Sequence, residues 1–281
     1  MRISKLLNPS TWLVGQLICL QAASAQTVTD KVETKLGGWT PSVQTSYLRS
    51  AAGQDSAYYQ SVAAIEFNLV HMLLDSSSFL LSTGVSRDLD ALEERNIWSA
   101  TSLAYISSPY EVAKNLEFRY RGTVVAPTNS ESRDYLSYRG SVGGSASLTR
   151  SWKRLPIGKS LAVGLSGNAS RNFFEYDASE NGTPNTTVAL GTGVSAALEV
   201  TDSVQLSGSY GLKKSRKSND TWLDTRYEHK LAAGYSVSNQ LALSVSQGTE
   251  NRAYSYDAQT AQFALYDFQT TIYELAATYT F

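Results

Sequence analysis

The sequence predicts an all-β chain, a transmembrane antiparallel up-and-down barrel of about twelve strands, and three observations carry that prediction. Apolar residues recur at every second position through most of the 281 residues, which is the period of a strand and not of a helix. Charged residues make up only 17% of the chain while Tyr alone contributes 17 residues, so much of the surface faces something other than water. The alternating runs are about ten residues or longer, where the strands of a soluble sandwich usually have about five or six. A mean hydropathy of −0.23 is compatible with membrane spanning, because a strand with one apolar and one polar face averages out hydrophilic. No window holds the ~20 consecutive apolar residues of a spanning helix. At 42% hydrophobic the chain is too apolar for disorder, and a formal net charge of −1 lacks the basic excess of a nucleic-acid binder.

In chain order, Arg2 and Lys5 precede an apolar stretch from Trp12 to Leu20, and Ala23-Ser24-Ala25 follows, the small-x-small pattern of a secretory signal cut before Gln26. Residues 1–25 are therefore expected to be an export signal that carries away the single Cys, Cys19. Residues 26–36 are short and charged, a tail rather than a domain, and the barrel is expected to run from 37 to 281. Its twelve segments fall at roughly 38–49, 58–71, 78–87, 96–106, 115–126, 135–149, 160–171, 188–200, 204–214, 222–237, 240–247 and 267–281. The fourth is the least regular, because Ile97, Leu103 and Tyr105 compete in phase with Trp98 and Ile106. Connections alternate in character: Thr201-Asp202-Ser203 and Ser238-Asn239 are tight turns, whereas 171–187 and 248–266 are long and polar.

Within the segments the two faces separate cleanly. Val204, Leu206, Gly208, Tyr210 and Leu212 alternate with Gln205, Ser207, Ser209, Gly211 and Lys213, and Leu161, Val163 and Leu165 alternate with Ala162, Gly164 and Ser166. On this alternation the inner face receives Glu66, Glu117, Arg119, Arg121, Arg139, Glu199, Lys213, Asp224, Arg226, Glu228, Lys230 and Glu274 as pore-lining candidates. It also receives many small residues, among them Ser141, Gly143, Ser145, Ser147, Gly164, Ser166, Gly191 and Gly193. Aromatic rings are expected in two belts: Trp39, Trp152, Tyr235 and Tyr279 at one end, Tyr47, Tyr120, Tyr227 and Trp222 at the other.

Tyr273, Leu275, Ala277, Tyr279 and the terminal Phe281 form an alternating series ending on an aromatic carboxyl terminus. This series resembles the final strand by which the outer-membrane assembly machinery recognises bacterial β-barrel proteins. The resemblance implies a Gram-negative outer membrane, with lipid and lipopolysaccharide around the barrel, the assembly machinery as a partner, and both termini in the periplasm. In strand number and charged lumen the chain is also loosely similar to small twelve-stranded porins.

For function, the charges could pair and fill the interior, or small side chains could leave it open, since a twelve-stranded cross-section lies between packed eight-stranded barrels and open sixteen-stranded porins. The leading expectation is a narrow passive channel for small hydrophilic solutes, with anions favoured if arginines on one wall face Glu66 and Glu274 across the lumen. The alternatives are a structural or surface-interaction barrel with a closed lumen and, less favoured, a lipid-modifying barrel enzyme. Catalysis lacks residues, because His71 and His229, the two histidines, both take the outward phase with no outward Ser beside His229. No metal site or cofactor is expected, since Glu175, Asp177 and Glu180 read as solubilising loop charge. A monomer is favoured. Phe173, Phe174 and Tyr176, with Tyr254, Tyr256 and Phe263, are expected as loop aromatics that bind a partner, narrow the channel or pack on one another.

Overall fold

The structure, a computed structural model, describes residues 38–281 except 55, 57, 74, 90–95, 130–132, 134–136, 181 and 255–263. The expected export signal and tail, and with them Tyr256 and Phe263, lie outside the described residues. Among the described residues no helix is long and apolar enough to cross a membrane, and the chain is instead a ring of strands.

The strands are β1 (Trp39–Ser50), β2 (Ser61–Met72), β3 (Ser78–Asp88), a segmented β4, β5 (Leu116–Ala126), β6 (Tyr138–Leu155), β7 (Gly158–Phe174), β8 (Thr186–Glu199), β9 (Val204–Lys217), β10 (Arg226–Ser236), β11 (Leu241–Arg252) and β12 (Thr271–Thr280). Each pairs antiparallel with its neighbour in sequence, and β1 pairs with β12 from Ser42↔Thr280 to Ser50↔Ile272, so the ring closes. Closure leaves no unpaired edge, as hydrocarbon demands of a spanning sheet.

β4 is the strand that the sequence marked as irregular. It consists of Asn96–Trp98, Thr101–Ile106 and Tyr110–Ala113, and the interruptions have local causes. At the second, Pro109 has no N–H to give the ladder, and Ser107 stitches the gap, its N–H donating to the Tyr120 carbonyl (2.9 Å) while its hydroxyl accepts the Tyr120 N–H (2.9 Å). At the first, the Ser99 N–H still reaches the Gly84 carbonyl at 2.8 Å.

One end of the barrel has short connections and the other has long ones. Lys114-Asn115 turns β4 into β5, with Asn115 at φ 61°, a left-handed conformation that Asn tolerates, and Pro156-Ile157 turns β6 into β7. The long connections, among them 175–185, 218–225 and 253–270, all lie at the opposite end. Near that end β6 carries a bulge between Tyr138 and Gly140, where Gly140 adopts φ 134° and a Cβ would lie 2.7 Å from the Val125 carbonyl oxygen; glycine is required there.

The strands are longer than expected at several ends. β6 continues to Leu155, β7 to Phe174, β9 to Lys217 and β11 to Arg252. In each case a polar or cationic residue stands in the outward phase (Arg150, Arg171, Lys214 and Arg216, Gln247 and Thr249) and interrupts the apolar alternation while backbone pairing goes on.

Large apolar side chains occupy the outer face and are exposed, Leu165 at 58%, Val124 at 57% and Leu275 at 57%. Polar side chains are buried instead, Glu274 being only 6% exposed. A soluble protein shows the reverse.

Trp39, Trp152, Tyr235 and Tyr279 fall at the short-turn end, and Tyr47, Tyr227 and Trp222 at the long-loop end. Tyr120 differs from expectation. It lies in the short-turn half of β5 and clusters with Tyr105 (6.0 Å between ring centroids) and Phe118 (6.4 Å). Tyr227 and His229 point outward in register but are buried, because residues 264–267 fold over the outer wall. The Ala264 N–H donates to the Tyr227 hydroxyl at 2.9 Å and its carbonyl lies 3.0 Å from His229 Nε2, while Gln247 Nε2 donates to the Leu265 carbonyl at 3.0 Å. That end of the long loop therefore lies outside the barrel and not within the lumen.

Candidate functional site

The inner face divides into two walls. On β6–β9 the register aligns small residues across four strands: Ser145↔Asn168↔Gly191↔Lys213, Ser147↔Ser166↔Gly193↔Gly211 and Thr149↔Gly164↔Ser195↔Ser209. These glycines are not all vacant space. A Cβ on Gly191 would fall 2.7 Å from Asn168 Oδ1, and one on Gly211 would fall 3.3 Å from Glu228 Oε1, so neighbouring side chains already lie across them. From below Lys213 toward the short turns, as far as Glu199, the wall is consequently smooth and neutral.

The other wall, β10–β12 continuing into β1–β5, carries the charges. Lys230 Nζ reaches Glu274 Oε2 at 2.9 Å across the intervening β11, and the Ser246 hydroxyl donates to the same oxygen at 3.1 Å. Both charged side chains are largely buried, 14% and 7% exposed, so each depends on the other. Glu228 interacts electrostatically with Lys213 and Glu250. Glu66 is hydrogen-bonded by Asn68 and interacts electrostatically with Glu274 and with Arg121, which stands on β5. Arg121 Nε also donates to the Thr123 hydroxyl at 3.2 Å. Beside Glu66 and Glu274, Gln44, Ser46, Ser82 and Ser102 together with Leu48 and Ala64 line a recess of about 50 Å³, large enough for water but mostly apolar in its lining.

The remaining candidates sit nearer the ends. Arg119 Nη2 pairs with Glu117 at 3.8 Å on the same strand, and Glu199 accepts from the Ser160 hydroxyl at 2.7 Å, both toward the short turns. At the long-loop rim Arg226 pairs with Glu250 (2.9 Å), Asp224 with Arg252 (3.1 Å), and Arg139, set in the β6 bulge, with Glu175. Asp224 lies beyond the start of β10, so it is a rim residue and not a wall residue. Local pairing thus takes Arg119 and Arg139 out of the row of arginines anticipated opposite Glu66 and Glu274, while Arg121 interacts with Glu66.

Glu250 and Arg252 were missed by the sequence reading, and Glu175, read there as solubilising loop charge, is instead the partner of Arg139. Glu250 and Arg252 keep the inward phase of Ser244 and Ser246, and that parity was the available signal. Of the expected loop aromatics, Phe173 and Phe174 belong to β7, and Phe174 packs on Tyr138 at 5.6 Å between centroids. Tyr273, Leu275, Tyr279 and Phe281, expected from the sequence to be an assembly signal, are all exposed outward; Tyr279 meets Phe281 edge-on at 4.9 Å, and the Phe281 N–H donates to the Pro41 carbonyl at 3.0 Å. The Thr249 hydroxyl beside His229 bonds to that of Thr271 at 2.8 Å. Among the described residues no group of three or more His, Cys, Asp or Glu could hold a metal ion.

No family model matches the chain, and no curated protein matches it in sequence. Solved structures do. An outer membrane channel from Pseudomonas putida F1 superposes with a TM-score of 0.59 at 13% identity, covering 90% of this chain and 98% of that one. The NanC porin gives a TM-score of 0.52 at 9% identity over 85% of this chain and 98% of its own. The chain has the fold of the small outer-membrane channels, a closed twelve-stranded antiparallel β-barrel.

Proposed function

We propose that the protein is a narrow passive channel in the outer membrane of a Gram-negative bacterium, admitting small hydrophilic solutes, with its short turns and both termini on the periplasmic side. The observation that carries this reading is the neutral wall of β6–β9. Serine and glycine cannot reach across a twelve-stranded cross-section, which leaves room for water beside that wall. Short turns on one side and long loops on the other, with exposed aliphatic rows between them, support a spanning barrel in that orientation. The fold shared with the P. putida channel and the NanC porin supports the same reading.

Planar-bilayer recording tests it. Stepwise single-channel conductance is expected, and its absence from a correctly folded barrel would favour a closed surface-interaction barrel instead. A preference for small anions is the finer part of the proposal, and it takes Arg121, an inward arginine on β5 that interacts electrostatically with Glu66, as the group that sets the field. Arg121→Glu should shift selectivity toward cations at low salt, and the shift should largely vanish in 1 M salt, where the Debye length is ~3 Å. Unchanged selectivity would make Arg121 a wall strut.

A further inference from the structure

On the outer surface, at the long-loop end of β7–β9, the register builds a row that runs Arg171↔Val188↔Arg216 and ends on Trp222, which bridges to Arg216. Lys214 stands two residues below Arg216 on the same face, beside Leu190. With strands ~4.8 Å apart and ~3.4 Å per residue, the three cations arise within about 12 Å of one another. Each is stacked on a ring: Arg171 over Phe173 at 5.7 Å, Lys214 and Arg216 over Trp222 at 5.7 and 5.8 Å. Asp220 is the one carboxylate paired with the group among the described residues, 3.5 Å from Arg216 and itself 83% exposed; Arg171 and Lys214 pair with none. Directly below lie exposed Leu190, Val194 and Leu165.

Cations on the lipid-facing surface of a barrel are destabilising at the midplane and tolerated only near the interfaces. Ring stacking holds these three beside the wall at headgroup depth, with apolar rows below to receive hydrocarbon. At the short-turn end of the neighbouring strand the same device occurs singly, as Arg150 over Trp152 at 5.4 Å. We propose that the triad of Arg171, Lys214 and Arg216 binds the phosphorylated headgroup of lipid A, the anchor of lipopolysaccharide, with its acyl chains on the Leu165, Leu190 and Val194 rows. Clustered cations need clustered phosphates, and this glycolipid presents more than one phosphate above several chains. The proposal rests on the outer-membrane reading, with the long loops outward.

The experiment uses the full chain folded in zwitterionic detergent, with purified lipid A, dephosphorylated lipid A and inorganic phosphate as probes and native mass spectrometry as readout. Faster-to-slower gel migration on boiling, or its absence, first reports on the wild type whether a closed barrel exists, so failure of the membrane reading is seen separately. Wild type is expected to bind lipid A and to lose that binding when the lipid is dephosphorylated. Arg171→Gln/Lys214→Gln/Arg216→Gln should bind about a hundredfold more weakly, since each basic residue near an anionic headgroup layer is worth about 1 kcal/mol. Arg150→Gln should bind like the wild type. Equal binding by the triple variant, an equal loss in Arg150→Gln, or full displacement by millimolar phosphate would overturn the proposal. If the triple variant does not fold, the wild type decides it alone: equal affinity for lipid A and its dephosphorylated form sinks the idea.

Discussion

The β6–β9 wall and the β10–β12 wall line one lumen with opposite chemistry. Serine, threonine, glycine and asparagine cover most of the first between Lys213 and Glu199, where Asn168 lies across Gly191 and Glu228 of the second wall reaches over to Gly211. On the second, Lys230, Glu274 and Ser246 form a buried cluster in which each charge is neutralised by a neighbour. The difference teaches that charge is spread unevenly around the circumference: the charged wall is held together by internal pairing, and small polar residues predominate on the other. A barrel whose small and charged residues were mixed strand by strand would close its lumen with ion pairs.

The largest expected effect strikes the charged wall. Lys230→Met removes the cation 2.9 Å from the buried Glu274 carboxylate and should destabilise the folded barrel by about 3 to 5 kcal/mol, read as a shift in its urea midpoint in lipid vesicles. Lys230→Met/Glu274→Leu should recover most of that loss. Ser145→Ala, on the neutral wall, should change stability by less than about 0.5 kcal/mol. If Lys230→Met proves as mild as Ser145→Ala, the walls do not differ in the way described.

The next effect separates the faces and not the walls. Arg at Leu165 or Val194, Cα partners on β7 and β8, should cost about 2 to 4 kcal/mol in the same vesicle titration, and Arg at Ser166 or Ser195, one residue away on the inner side, far less. The opposite order would invert the register.

Smaller again is the rim. Arg226 is half exposed in its pair with Glu250, so Arg226→Ala should cost at most about 1 kcal/mol, against the several expected for Lys230. Smallest is the turn between β2 and β3, where the Ser77 hydroxyl (2.6 Å) and N–H (3.0 Å) donate to Asp75 Oδ1 and hold its carboxyl below the ordinary value of 3.8. Because the folded value is the lower one, this contribution is present above pH 3.8 and is lost as the pH falls through the depressed value. Asp75→Asn should remove that part of the acid sensitivity, visible as a flatter stability profile at low pH.

The sequence made the strand period, the two faces, the ring of twelve and the contrast of turns and loops legible, because each depends on local alternation or on a few turn residues. Strand ends were less legible, for one physical reason. Arg150, Arg171, Lys214, Thr249 and Asn251 are outward residues that are not apolar, and each sits where a ring or a loop takes the place of lipid. Alternation counted from apolar residues stops at them; backbone pairing does not. Within the candidate site, parity placed inward charges such as Lys230 and Glu274 on one face, but which charge meets which depends on stagger between strands. Arg139 shows the limit: the bulge at Gly140 turns it to Glu175 on the rim.

Single-channel recording of the wild type beside Ser166→Trp and Leu165→Trp tests the open lumen most directly. The two substitutions put the same bulk on adjacent residues of β7, one inward and one outward. The wild type should conduct in steps, Ser166→Trp should lower the step size sharply, and Leu165→Trp should leave it unchanged. A silent wild type, or a Ser166→Trp channel that conducts like it, would contradict the water-filled path along the neutral wall.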